Sequence, residues 1–170
     1  MIATCLISSI LMAVAYIAAV IIKDKSLPDS ISALVYAIPA GKWRWVWSVW
    51  LAAVTLMLAP ALTSAAQSNL LVLIADSTIV CLAMTAAVPL LPCYHNKWHY
   101  ALGISSGVLS QIYVALLCPW WLAAWLVFAA LVVWTLTDWK QDAQKRFYGK
   151  GVFIAESVCA VTVYGVLCNM

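Results

Sequence analysis

Six stretches of this chain, at residues 2–22, 46–64, 70–91, 100–118, 120–137 and 151–168, are apolar almost without interruption. A hydrocarbon layer is crossed by a helix of roughly 20 mostly apolar residues. Strands of a membrane barrel would alternate between apolar and polar with a period of two. These runs do not alternate, so helices are expected. The expected fold is an all-α, polytopic transmembrane bundle of six helices with short loops. The six runs take up most of the 170 residues, so a single domain over residues 1–170 is expected.

Composition agrees. Apolar residues make up 66% of the chain and charged residues 9%, with a mean hydropathy of +1.02. Soluble domains carry about 25% charged residues. This excludes a soluble enzyme, a disordered tail and a nucleic-acid module, and no nucleic-acid partner is expected. The first run lacks a basic leader, and Val20, Ile21, Ile22 and Lys23 follow where a small-residue cleavage site would stand. It is read as a span.

The basic residues set an expected orientation. Lys23, Lys25, Lys42 and Arg44 lie in the first connector, Lys97 in the third, and Lys140, Lys145, Arg146 and Lys150 in the fifth. With six spans these connectors share one side, which the positive-inside rule makes cytoplasmic. Both termini then face outward. The small extramembrane mass suits a bacterial inner membrane. Trp43, Trp45, Trp47 and Trp50, with Trp98 and Trp139, fall at the inner interface. Trp120 and Trp121 fall at the outer one, after Pro119. Rings of this kind anchor spans at headgroup level, and stacking against a ligand is the alternative use. In the first connector, Pro28 and Asp29 or Ser30 predict a capped short helix over residues 31–37. The fifth connector reads as a helical extension of the fifth span, with Asp142 and Arg146 spaced to pair.

Polar groups inside the spans are the candidate site. Ionisable residues in spans tend to face the bundle interior or a water-filled cavity. From the rise of 1.5 Å per residue, Asp76 falls about 9 Å, and Gln111 about 10 Å, below the outer edge. Ser8 and Ser9 come to a similar level, which predicts an outer polar layer. Glu156 falls about 8 Å from the inner edge, with Tyr16 at similar depth as an inner layer. The bland use of such groups is interhelical hydrogen bonding. The sharper use is holding a lipid, solute or ion. No catalytic residue and no cofactor is expected.

His95 and His99 form an HxxxH at the start of the fourth run. On a helix that spacing puts two imidazoles on one face, as metal ligation requires, with Glu156 and Cys93 as further candidates. The six cysteines, at 5, 81, 93, 118, 159 and 168, include no CxxC. Cys5, Cys118 and Cys168 come near the outer face, as a bridged pair or as small buried thiols. Trp50-Leu51-Ala52-Ala53 is echoed by Trp121-Leu122-Ala123-Ala124, which two inverted three-helix halves would produce.

Pro28-Asp29-Ser30-Ile31-Ser32 after the first run, and His99-Tyr100 with Gly103 and Ser106 in the fourth, resemble small six-helix membrane proteins of the DRAM/Sfk type. The resemblance implies a lipid-associated or regulatory membrane protein. The HxxxH is similar to that of intramembrane metal hydrolases of the alkaline ceramidase type. Three functions therefore stand as expectations. The first is a non-enzymatic membrane protein that binds or translocates a lipid, small solute or ion, with membrane lipids as partners. The second is a metal-dependent hydrolase using His95, His99 and Glu156. The third is a membrane assembly subunit, with a homo-oligomer as one form.

Overall fold

The computed structural model describes residues 1–25, 29–31, 44–91, 96–137 and 141–170. Side chains at 24, 44, 96, 134–137 and 141–149 lie outside the description. So do Trp43, Cys93, His95, Trp139, residues 32–37 of the stretch expected as a short helix over 31–37, and the Asp142–Arg146 pairing.

Every regular element among the described residues is helical. Helix α1 runs Ile2–Asp24, α2 Arg44–Ala65, α3 Asn69–Ala87, α4 Asn96–Leu117, α5 Ala124–Thr137 and α6 Gln141–Cys168. Five helices are long and apolar enough to cross a membrane: α1, α2, α3, α4 and the part of α6 from Lys150.

Local chemistry sets the boundaries. Helix α1 stops where Lys25 takes a left-handed conformation, φ 52°, which closes the last turn. Ser68 caps α3 by accepting the Leu71 N–H at 3.3 Å, the usual work of a serine at that position. A short 3-10 turn, Val88–Leu90, follows α3.

Two expectations are corrected. The run at 120–137 is not one helix: it opens with a 3-10 turn, Pro119–Ala123, before α5. Proline is placed at the first position of that turn, where it has no N–H to lose. Alone, α5 is about 21 Å long, short of a hydrocarbon core of about 30 Å. The fifth connector does not simply prolong the fifth run. From Gln141 it is helical as the first part of α6, so Lys145, Arg146 and Lys150 belong to the last helix, and Lys140 lies outside the described residues.

Neighbours in sequence pack as neighbours in space, with α1 on α2, α2 on α3 and α3 on α4. Helix α6 closes the arrangement against α4, α5 and, more lightly, α2. One core cluster joins Leu6, Leu62, Leu71, Val114 and Val166. These come from the start of α1, the end of α2, the start of α3 and the ends of α4 and α6, so both chain termini gather at this end. Val20 and Trp47, with Tyr16, Ile31 and Trp50 against them, form a smaller cluster at the other end.

At Gly165, α6 is approached closely by the turn before α5. A Cβ there would lie 2.4 Å from the Trp121 ring. The absent side chain is what lets the 3-10 turn seat against α6. Gly165→Ala is therefore expected to cost about 1–3 kcal/mol through overpacking, read as a lower melting temperature in detergent.

Candidate functional site

Between the two clusters lies a cavity of about 210 Å³. Its existence follows from side-chain size. Helix α4 faces it with Gly103, Ser106, Gly107 and Ser110, a stripe at helical spacing with almost no bulk. A Cβ on Gly103 would meet nothing within 4 Å, and one on Gly107 would meet only the Cys159 Sγ, at 3.8 Å. Opposite stand Trp47, Trp50 and Val54 of α2. Helix α3 adds Thr78, Leu82 and Thr85. Helix α6 adds Glu156, Cys159, Val163 and Tyr164, and α1 adds Ala13 and Ile17.

Glu156 is the one carboxylate on this wall among the described residues. Its Oε2 accepts the Ile31 backbone N–H, and the Ile31 carbonyl accepts the Trp47 indole N–H at 3.2 Å. Residues 29–31 are thus strapped across one end of the cavity. The Asp29 carbonyl accepts the Phe153 N–H at 3.1 Å, and the Asp29 carboxylate pairs with Lys150 at 2.6 Å. That ion pair is solvent-facing on the Asp29 side, so it adds little stability by itself. Its geometry matters more, because it holds the strap on α6.

Tyr16 stacks on Trp50, with ring centroids 4.5 Å apart. Trp50 in turn donates its indole N–H to the Met12 carbonyl at 2.9 Å. Tyr16 and Glu156 thus reach the same end of the bundle, one behind Trp50 and one on the cavity wall.

The expected outer layer divides. Ser9 is fully buried and donates to the Val54 carbonyl at 3.0 Å. It also lies 2.6 Å from the Tyr164 hydroxyl, so it ties α1 to α2 and α6. Ser8, one step round the helix, is only half-buried. Gln111 joins three helices. Its Oε1 accepts the Trp125 N–H at 2.8 Å and the Thr162 hydroxyl at 3.1 Å. Asp76 does not join them. It lies on the exposed face of α3, in line with Leu73, Val80 and Met84. The reason is helical phase. Ile74, Ala75 and Thr78 take the inward positions of α3, and Asp76 turns away from them. Depth along a span carries no information about direction round the helix.

His99 is buried, 5.3 Å from the Trp47 ring. Its HxxxH partner His95 is outside the described residues. Among the described residues no group of three His, Cys, Asp or Glu is placed to hold a metal ion. Cys5, Cys81, Cys118, Cys159 and Cys168 are free thiols. The two Trp-Leu-Ala-Ala runs occupy unlike settings: Trp50 faces the cavity, and Trp121 packs on Gly165.

Sequence reasoning missed most of the wall. Trp47 was assigned to an interface belt but is fully buried. The glycine and serine stripe of α4 carried the available signal, because small residues at spacings of three and four mark a close or open helix face.

No family model, curated protein or solved structure matches the chain.

The geometry separates Gln111 from Asp76 by experiment. Gln111→Leu orphans the Trp125 N–H and is expected to cost about 1–3 kcal/mol. Asp76→Leu removes no partner seen among the described residues and should leave monomer stability unchanged within about 0.5 kcal/mol. Thermal unfolding of both variants in detergent checks the contrast.

Proposed function

We propose that this chain is an integral membrane protein that holds a lipid portion or small solute in the half-open cavity among its helices, binding it or passing it across the bilayer without chemical change. The carrying observation is the cavity itself, about 210 Å³ where α1, α2, α3, α4 and α6 meet, with Glu156 on an otherwise mainly apolar wall. Apolar cavities of about 150 Å³ already take up benzene-sized molecules. Binding pockets are characteristically apolar with a few placed polar groups.

The proposal includes six crossings, with Pro119–Ala123 and α5 together serving as the fifth. A 3-10 turn rises about 2.0 Å per residue. It would lengthen the α5 crossing by about 10 Å if it ran in line with the helix. Both termini then face outward, and the ends bearing Lys23, Lys97 and Lys150 face the cytoplasm, by the excess of basic residues there. A bacterial inner membrane fits this arrangement.

A second reading, as a subunit that packs on other spans, is favoured by Asp76. A carboxylate on a lipid-facing helix surface is costly, and a neighbouring chain would relieve it. On that reading the protein forms a discrete oligomer in mild detergent that Asp76→Leu disperses. A wild-type monomer removes it.

The binding reading predicts that benzene raises the melting temperature of the purified protein, since a ligand of the folded state stabilises it by mass action. Gly103→Leu, whose side chain grows into open space, should fold and lose the response. Equal responses from both proteins, or none from either, would count against the cavity as a binding site.

A further inference from the structure

The hydroxyls of the cavity wall share one property. Thr55 donates to the Leu51 carbonyl at 2.8 Å, Thr78 to Ile74 at 2.8 Å and Thr85 to Cys81 at 2.7 Å. Ser106 donates to Gly103 at 2.8 Å and Ser110 to Gly107 at 2.7 Å. Ser9 has its proton on the Val54 carbonyl, so in the contact with Tyr164 it is the Tyr164 hydroxyl that donates. Both indole N–H groups on the wall, from Trp47 and Trp50, are spent on carbonyls of Ile31 and Met12.

Such back-bonding to a helix's own carbonyl is ordinary for Ser and Thr. Its consequence here is not. A hydroxyl has one proton and two lone pairs, so once the proton is committed the oxygen offers only acceptors. Glu156 adds a carboxylate, an acceptor that draws positive charge. Among the described residues the wall is therefore apolar surface broken by acceptors, with every hydroxyl and indole donor engaged within the protein. A ligand whose polar end accepts hydrogen bonds finds no such donor. One whose polar end donates finds several acceptors.

The carboxylate and the aromatic faces lie at the same end. Ile31 bonds Glu156 through its N–H and Trp47 through its carbonyl, which places the acid and the indole on either side of one residue. A cation over an indole face gains from the ring quadrupole, most when desolvated.

Resting on the reading of the cavity as a binding site, we propose that its ligand is a small amphiphile with a protonated-amine head and an apolar body. The ammonium lies at the Glu156–Trp47 end, and the body lies along Gly103 and Gly107. Three matched probes test this on detergent-purified protein: 2-phenylethylamine as its ammonium, 2-phenylethanol with one donor, and ethylbenzene with none. The readouts are tryptophan fluorescence and melting temperature. The ammonium should bind at least about tenfold tighter than ethylbenzene, with the alcohol between them. Glu156→Gln should remove most of that preference and leave ethylbenzene binding unchanged. Thr85→Val, a near-isosteric loss of the wall acceptor nearest that end, should reduce it in part, and serves should Glu156→Gln not fold.

Ethylbenzene binding as tightly as the ammonium would overturn the amine class while leaving the cavity a binding site. Failure of all three probes to bind would overturn both. The comparison within wild-type protein needs no variant.

Discussion

A polar atom carried into apolar surroundings must find its partner inside the protein, because an unmade hydrogen bond there costs its full desolvation. The packing of these helices follows from that requirement. Gln111 is fastened to Trp125 and Thr162, which holds α4, α5 and α6 together. Ser9 joins α1 to α2 and α6. The buried Tyr113 hydroxyl reaches across from α4 to the Leu62 carbonyl at 2.5 Å, near the end of α2 where a helix leaves its last carbonyls without internal donors. Apolar contacts between spans do not choose one arrangement strongly, since lipid tails offer the same surroundings. These few directional bonds do.

The same requirement shapes the cavity. Its serine and threonine hydroxyls satisfy themselves on their own helices, so they are tolerated within hydrocarbon without drawing a neighbouring helix close. Glycines at 103 and 107 then leave the space open instead of filling it. Strapping residues 29–31 across one end, through Phe153, Lys150, Glu156 and Trp47, joins the loop after α1 to α6 and α2. The cavity is thereby bounded by α1, α2, α3, α4 and α6 and, from the connector after α1, by Ile31.

How much of this was legible in the sequence depends on which physical signal each residue carries. Apolar length is a one-dimensional property, and the helices it predicts at α1, α2, α3 and α4 are there within a few residues. Direction round a helix is not, when nearly every position is apolar. Asp76 and Gln111 have similar expected depth and are both polar, yet one is exposed and the other joins three helices. The phase of α3 that separates them is set by Ala75 and Thr78, whose burial only the packed bundle reveals. Tryptophans mislead for a related reason. Trp45, Trp98 and Trp120 are exposed, as an interfacial belt would have them, whereas Trp47, in the same run, is interior. Glu156 stood out because a carboxylate in an apolar run has few uses. The serines and glycines of α4, which make the space it faces, are individually unremarkable.

The central claim is that the space beside Glu156 and Trp47 holds a molecule. Native mass spectrometry of the protein, purified in mild detergent without added ligand, addresses this most directly. The account predicts a retained small organic species at one per chain, absent from Gly103→Leu prepared in parallel. Wild-type protein of bare polypeptide mass, identical in ligand content to Gly103→Leu, would contradict it.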